Sequence, residues 1–290
     1  MNKESAAIGF IQSYNQKDYS SIEKKFETLM LLPLSPKLRL PVLAERIAGD
    51  PHYFDKDTEF VTALQIIRSN KNNTPYINDT SVEAVNELLY ENGILKDDLQ
   101  NFVTCSGLIA VKNGENVRSW DCLYDENSVH NVPLRELVKY DRLFPKKGDR
   151  VYVVENSGVF SSILDMYKGE PLPLVCTHGQ FKFATLQLIE KLCNENVTIY
   201  YSGDYDPEGL QMAQRLRMKY GKFIRFWRYT VQDYIEALSE KEISPISASK
   251  LDNIKAPELS AVKNEMVRLK KIGYQERHIV TLYNDIILMQ

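Results

Sequence analysis

The first half of the chain, residues 1 to about 145, repeats its apolar positions mainly at the three- and four-residue spacing of an amphipathic helix. Val103–Val111 instead has the β-branched character of a strand that Gly107 weakens, and we expect Trp120–Tyr124 to pair with it. The helical spacing predicts helices at Ile22–Leu31, Leu38–Ile47, Phe60–Ile67 and Val82–Tyr90. This half is therefore predicted to be mostly helical, with a little strand.

After Pro145-Lys-Lys-Gly148 the pattern changes to short apolar runs that alternate with helical stretches. The runs predict strands at Val151–Val154, Leu172–Cys176, Val197–Tyr201 and Phe223–Trp227. The stretches predict a helix from near Gly158 and helices at Phe181–Cys193, Pro207–Tyr220, Pro257–Lys271 and Gln275–Met289. Strands that alternate with helices of this length indicate right-handed β-α-β units and a parallel sheet flanked by helices.

The change of pattern near Gly148 divides the chain into two predicted domains. Residues 1–147 are predicted to form a mostly helical α+β domain, and residues 148–290 an α/β, Rossmann-like domain with C-terminal helices. A chain of 290 residues is long enough for two ordinary domains.

Composition narrows the class of protein more than its function. Hydrophobic residues make up 43% of the chain and charged residues 26%, which is typical of a globular protein. We expect a cytoplasmic protein with no membrane association, because no apolar stretch is long enough to span a bilayer and no signal peptide is recognisable. The four cysteines form no C-x-x-C pair, which argues against a zinc site or a disulfide framework. The net charge of −3 argues against an overall basic nucleic-acid-binding protein, but it does not exclude local phosphate contacts.

Three carboxylates follow predicted strands at positions where parallel α/β sheets bind ligands, beyond the carboxyl ends of the strands. Glu155 follows Val151–Val154, while Asp204 and Asp206 follow Val197–Tyr201. Each could be a simple helix cap, and a lone D-x-D occurs by chance in many proteins. Crowded carboxylates repel one another, however, and a hard divalent cation such as Mg²⁺ or Mn²⁺ relieves that repulsion. Such an ion polarises a phosphoryl oxygen and activates water, and Glu208 is a possible fourth ligand or a partner of the helix dipole.

The combined motifs resemble the topoisomerase–primase (Toprim) domain. Gly-Asp-Tyr-Asp-Pro-Glu-Gly, residues 203–209, is similar to the D-x-D-P-x-G signature of the topoisomerase VI A subunit. Val-Val-Glu-Asn-Ser-Gly, residues 153–158, and Val-Cys-Thr-His-Gly-Gln, residues 175–180, resemble the JetD-type nuclease subunit of Wadjet plasmid-defence systems. The resemblance implies a Toprim-like sheet, Glu155, Asp204 and Asp206 as metal ligands, DNA as substrate, and SMC-like motor subunits or other defence-system subunits as partners.

Several further residues are candidates for contacts with the substrate. His178 ends a predicted strand and could be an acid or a phosphate donor, although a loop histidine is often only a polar surface residue. Lys182 is the basic residue nearest the acidic cluster in the predicted fold. A run of basic residues between positions 215 and 228 could bind a phosphate backbone, or it could be a solvated helix face with salt bridges. The candidates for binding nucleic acid in this run are Arg215, Lys219, Lys222, Arg225 and Arg228.

The sequence thus predicts a divalent-metal-dependent DNA endonuclease of an anti-plasmid or anti-phage defence system. Residues 148–290 are expected to be its catalytic domain and residues 1–147 a DNA- or partner-binding domain, and a homodimer is left open. One alternative is a Toprim-like adaptor that binds DNA or a partner without cutting. Another is a topoisomerase VI A-like strand-breaking enzyme, but Tyr14, Tyr19 and Tyr53 lack the R-x-x-Y-Y context of its nucleophile. A small-molecule phosphotransferase is disfavoured because the chain has no Gly-rich phosphate loop.

Overall fold

The computed structural model describes residues 8–55 and 57–289, and residues 1–7, Lys56 and Gln290 lie outside the described part. The chain divides into two compact units, one up to Gln100 and one from Asn101 onwards. Sequence analysis placed this boundary at residues 147 and 148. The difference arises because Phe102–Ser106 and His130–Pro133 pair into the main sheet of the second unit.

The first unit is helical, with one two-stranded sheet. Its core is built from apolar side chains such as Leu40, Phe60, Leu64 and Leu88. Capping side chains mark where several helices begin; the Asp57 carboxylate, for example, accepts from the Phe60 N–H at 2.9 Å. Its helices are α1 Ile8–Asn15, α2 Tyr19–Met30, α3 Leu40–Ala48, α4 Thr58–Asn72 and α5 Val82–Glu91, and its strands are β1 Leu38–Arg39 and β2 Ile94–Leu95.

The second unit is organised around a six-stranded mixed sheet in the order β11-β10-β8-β9-β3-β6. The four strands from β11 to β9 are parallel to one another, as the sequence predicts, whereas β3 runs antiparallel to both of its neighbours. A separate small sheet has the order β5-β4-β7, and β12 pairs with β13. The strands are β3 Phe102–Ser106, β4 Leu108–Lys112, β5 Glu115–Asn116, β6 His130–Pro133, β7 Arg142–Pro145, β8 Arg150–Val154, β9 Leu174–Cys176, β10 Thr198–Ser202, β11 Ile224–Phe226, β12 Leu238–Glu242 and β13 Lys271–Gly273.

Helices cover this sheet and connect its parallel strands. The side chains of β8 from Val151 to Val154 are buried, which is why the strand is a continuous apolar run in the sequence. The helices are α6 Arg118–Asp125, α7 Leu134–Leu137, α8 Ser157–Met166, α9 Phe183–Asn194, α10 Pro207–Tyr220, α11 Val231–Ala237, α12 Pro245–Ala248, α13 Ser260–Leu269 and α14 Ile279–Met289. Short 3₁₀ helices lie at Gly221–Phe223, Ser249–Asn253, Pro257–Leu259 and Gln275–His278.

Three local predictions were wrong. Trp120–Tyr124 lies in α6, and the two buried side chains Trp120 and Tyr124 have the four-residue spacing of a helix face. The predicted strand Val103–Val111 is two strands, because Gly107 has a φ of +67° and a Cβ there would lie 2.3 Å from the Leu172 carbonyl carbon. The region after Thr230 is not only helical, since β12 and β13 form an antiparallel pair. Within residues 8–55 and 57–289, no helix combines the length and the apolar character that crossing a membrane requires.

Candidate active site

Glu155 and Asp204 meet at the carboxyl edge of the sheet, as predicted from their places after neighbouring strands. β8 and β10 are parallel, and Val154 lies opposite Ser202 in their register, so the residues that follow each strand are brought together. The backbone N–H of Asp204 donates to Oε2 of Glu155 at 3.2 Å. The two carboxylates therefore belong to one site although 48 residues separate them along the chain.

Two other segments of the chain hold the Asp204 carboxylate. Its Oδ1 accepts a hydrogen bond from the Asn156 side-chain amide at 3.0 Å and another from the backbone N–H of Gln275 at 2.8 Å. The Gln275 side chain is fully buried, and its Oε1 accepts from the Asn156 backbone N–H at 3.2 Å. The 3₁₀ helix Gln275–His278 thus fixes the residues after β8 and β10 to each other. Sequence analysis missed Asn156 and Gln275, and only the position of Asn156 directly after Glu155 could have indicated a role.

Asp206 and Glu208 have structural partners. Asp206 is the N-cap of α10, where its Oδ1 accepts from the Gly209 N–H at 2.6 Å, and Pro207 occupies the first turn. The Glu208 carboxylate accepts from the Ser247 hydroxyl at 3.0 Å and lies 2.5 Å from the Lys250 ammonium. Asp206 remains electrostatically coupled to Asp204 and Glu155, whereas Glu208 is compensated by Lys250.

None of the groups that most affect the pKa values of Glu155, Asp204 and Asp206 carries a positive charge. Burial first, and then the negative charges of the neighbouring Asp204, Asp206 and Glu276 carboxylates, together raise the pKa of Glu155 to about 7. Burial also raises the pKa values of Asp204 and Asp206 above the ordinary aspartate range. Carboxylates with this profile favour either a bound proton or a bound cation.

Two tyrosine hydroxyls complete the polar surroundings of Glu155, and sequence analysis missed both. The hydroxyls of Tyr201 and Tyr229 are buried and have no hydrogen-bond partner among the described residues. A Cβ atom on Gly203 would lie 2.6 Å from Oε2 of Glu155, 3.0 Å from the Tyr201 hydroxyl and 3.1 Å from the Tyr229 hydroxyl. Gly203 therefore gives the Glu155 carboxylate and both hydroxyls the space they occupy. No motif in the sequence links Tyr229 to Glu155.

The pair Glu155 and Asp204 fits a divalent cation better than the predicted set of three or four ligands does. In the described part of the chain, no three histidine, cysteine, aspartate or glutamate side chains are grouped so that they could hold a metal ion. Mg²⁺, however, is usually bound by one or two carboxylates, with waters and substrate phosphates supplying the remaining oxygens. Glu155 and Asp204 meet that requirement, because both supply carboxylate oxygens whose negative charge is not compensated. The Tyr201 and Tyr229 hydroxyls lie nearby without partners among the described residues. Asp206 adds negative charge from its position as the N-cap of α10.

His178 lies at the same edge of the sheet, one strand away from Glu155. It has a φ of +56° in the turn after β9, and the next residue, Gly179, donates its N–H to the Glu155 carbonyl at 3.2 Å. Its Nε2 lies 2.5 Å from the Thr104 hydroxyl on β3. Burial lowers the pKa of His178, and the nearby Lys182 ammonium lowers it further. The structure therefore brings His178 and Lys182 together beside the acidic pair.

The basic run near β11 does not converge on the acidic pair. Arg228 is bound by Asp285, with Nε at 2.6 Å from Oδ2, and lies 3.4 Å from Asp233. Arg215 and Lys219 lie along α10, about 13 and 20 Å of helix rise beyond Asp206. Lys222 and Arg225 follow that helix and are exposed. Whether these four residues bind DNA remains a prediction, but Arg228 is committed to the packing of α14.

Comparison with known proteins finds matches to two family models of unknown function. The model described as protein of unknown function C-terminus (DUF2399) matches residues 130–286. The model described as protein of unknown function N-terminus (DUF3323) matches residues 3–110. No curated protein matches the sequence. The first of these matches covers more than half of the chain and contains every residue of the acidic site.

Proposed function

We propose that this chain, which belongs to the DUF2399 family, is a divalent-metal-dependent DNA endonuclease with a Toprim-like catalytic unit. The observation that carries the proposal is the contact between Glu155 and Asp204 at the ends of two neighbouring parallel strands. The motif resemblance to JetD-type nucleases supports it, as does the presence of the two domain families, which are typical of JetD-like proteins. The same resemblance suggests SMC-like motor subunits as partners in plasmid or phage defence.

In the proposed mechanism, Glu155 and Asp204 would hold Mg²⁺ or Mn²⁺. The chemistry supplied by such an ion would be Lewis-acid polarisation of the scissile phosphate and neutralisation of its developing charge. Asn156 and the backbone N–H of Gln275 orient the Asp204 carboxylate, and the Tyr201 and Tyr229 hydroxyls lie beside the Glu155 carboxylate. His178 is placed to exchange a proton with the reacting groups at this edge of the sheet.

Water, not tyrosine, is the proposed nucleophile. Burial raises the pKa values of Tyr201 and Tyr229, the two tyrosines beside Glu155, well above the usual tyrosine range. A hydroxyl that is buried and difficult to ionise is a poor nucleophile. Hydrolysis leaves free DNA ends, whereas attack by tyrosine leaves protein attached to one end. Denaturing electrophoresis of cleaved, labelled DNA with and without protease distinguishes them, and a protein-linked end would contradict the proposal.

The direct test of function is cleavage of labelled DNA by the full chain, alone and with its motor partners. We expect cutting with Mg²⁺ or Mn²⁺, none with chelator, and at least a hundredfold loss in Glu155→Gln and Asp204→Asn. Asp149→Asn is the matched control, because Asp149 precedes β8 at the opposite edge of the sheet. Undiminished cutting in Glu155→Gln or Asp204→Asn would overturn the mechanism. DNA binding without cleavage under every condition would favour the adaptor alternative.

A further inference from the structure

The aromatic ring of Phe102, on strand β3, lies against the side chain of Lys182. The Lys182 ammonium lies 3.7 Å from the centroid of the Phe102 ring, within the range of a cation–π contact. The His178 ring meets the same Phe102 ring edge-on, with the centroids 5.5 Å apart and the planes at 65°. Phe102 therefore contacts both side chains and limits the positions that they can adopt.

Thr104, two residues after Phe102 on β3, fixes the orientation of the His178 ring. The Thr104 hydroxyl donates to Oδ1 of Asn131 on β6 at 2.5 Å. Because a hydroxyl has one hydrogen, the contact between Thr104 and Nε2 of His178 requires Nε2 to donate to the Thr104 oxygen. In the neutral ring, Nδ1 of His178 is then the unprotonated nitrogen, which can accept a hydrogen bond. The hydrogen-bond chain thus selects one tautomer and leaves Nδ1 for a ligand.

These side chains and the acidic pair occupy one edge of the sheet. β9 and β3 are the first and second strands beyond β8 in the sheet order, so their ends lie about 5 and 10 Å from the end of β8. This distance suits a ligand long enough to contact both regions at once, such as a polynucleotide strand. On the other side, at the end of β11, Arg228 is bound by Asp285.

We propose that β3 forms the second half of the substrate site. Lys182 binds a backbone phosphate of the nucleic-acid strand next to the phosphodiester that is cut, and Nδ1 of His178 accepts a hydrogen bond from a base N–H of the same strand. Phe102 positions Lys182, and Thr104 together with Asn131 positions His178. The inference rests on the proposed function for the identity of the ligand, and it fixes the side from which the strand enters the site.

Binding of labelled DNA in the presence of chelator tests the Lys182 contact without requiring cleavage. Lys182→Ala should weaken binding about tenfold at low salt and reduce the slope of log affinity against log salt by about one. Lys146→Ala is the matched control, since the Lys146 ammonium also lies over an aromatic ring, 4.3 Å from the centroid of Tyr124, but in the segment between β7 and β8, before the amino end of β8. Phe102→Leu should weaken binding in the same direction as Lys182→Ala. Equal effects of the two lysine variants, or no DNA binding by the wild type, would overturn the inference.

Nitrogen-15 NMR of the His178 ring tests its positioning independently of activity. The wild type should show a protonated Nε2 and an unprotonated Nδ1 in the neutral ring, and Thr104→Ser should preserve this pattern. Thr104→Val and Asn131→Ala should mix the two tautomers, because each interrupts the hydrogen-bond chain. A neutral wild-type ring protonated on Nδ1 would contradict the positioning role. Loss of cleavage with these binding and NMR results intact would count against the nuclease proposal alone.

Discussion

At the scale of a single residue, Glu155 shows why the acidic site should favour a bound proton or a bound cation. Its carboxylate is largely buried and receives a backbone N–H from Asp204, yet the neighbouring charges that act on it are negative. The cost of removing this group from water is therefore only partly offset by the protein itself. In the metal-free protein that cost should appear as a dependence of stability on pH.

Glu155→Gln should stabilise the metal-free protein at high pH. The unfolded chain loses this proton near pH 4.3, while the folded protein keeps it until about pH 7, so the folded state binds more protons between these values. The contribution of the Glu155 carboxyl group to the free energy of unfolding of the wild type is fully present below about pH 4.3 and is lost as the pH rises through about 7. We expect the variant to match the wild type at pH 4 and to be about 2 kcal/mol more stable at pH 8.

Urea unfolding of the wild type, Glu155→Gln and the Asp149→Asn control across this pH range measures the effect. A constant difference between wild type and Glu155→Gln at all pH values would contradict the proposed burial of the charge. Addition of Mn²⁺ at pH 8 should raise the stability of the wild type and leave Glu155→Gln nearly unchanged, because the ion stabilises only the folded state that binds it.

Gly203→Ala tests the space around the Glu155 carboxylate. The added Cβ would lie 2.6 Å from Oε2 of Glu155, so the carboxylate must move. We expect at least a tenfold loss of Mn²⁺ affinity by calorimetry and a destabilisation of about 1 to 3 kcal/mol. Gly158→Ala is the control, because a Cβ at this position in α8 meets nothing within 4 Å. Unchanged Mn²⁺ affinity in Gly203→Ala would show that the position of Glu155 is not critical.

At the scale of elements, the ends of β8, β9 and β10 and the 3₁₀ helix Gln275–His278 assemble the site. The apolar runs of the three strands are distinct in the sequence, so Glu155, His178 and Asp204 could be assigned to one edge of a sheet without a structure. β6 could not be recognised, since only Val132 is buried among its four residues and one of the four is a proline. Gln275 and Tyr229 could not be recognised either, because their roles depend on contacts between distant segments.

The ion pair of Arg228 with Asp285 should stabilise the packing of α14, the helix that follows Gln275–His278. Asp285 accepts from the Trp227 indole at 2.8 Å as well as from the Arg228 guanidinium, and its side chain is 12% exposed. Asp285→Ala should lower the free energy of unfolding by about 2 to 3 kcal/mol, since it leaves both partners partly unsatisfied. Glu136→Ala removes an ion pair with Lys139 in which both side chains are well exposed, at 41% and 44%, and should cost less than about 0.5 kcal/mol. Similar losses in the two variants would mean that Arg228 has no such role.

At the scale of the whole molecule, the two units suggest where the chain can be divided. The central sheet of the second unit includes β3 and β6, which lie within the N-terminal domain predicted from sequence. That prediction followed a real change in pattern, because the regular alternation of strands and helices begins only at β8. The antiparallel strands β3 and β6 come from the irregular segment before β8, where strands and helices do not alternate regularly, so the sequence does not show that they belong to the same sheet.

A fragment of residues 101–290 should therefore fold cooperatively, whereas residues 148–290 should not. The shorter fragment loses β3, which pairs with β9 and buries Val103 and Cys105, and exposes the edge of β9. Circular dichroism and urea unfolding of both fragments provide the comparison. Cooperative unfolding of residues 148–290 with the stability of residues 101–290 would contradict the importance of the mixed sheet.

The central claim, that Glu155 and Asp204 hold a divalent cation, can be tested without motor partners or a DNA substrate. The most direct measurement is anomalous diffraction from crystals of the full chain soaked in Mn²⁺, with Glu155→Gln crystals treated identically. We expect an anomalous peak between the Glu155 and Asp204 carboxylates in wild-type crystals, and we expect this peak to be absent from the Glu155→Gln crystals. No peak at this position under saturating Mn²⁺, or an equal peak in Glu155→Gln, would contradict the central claim.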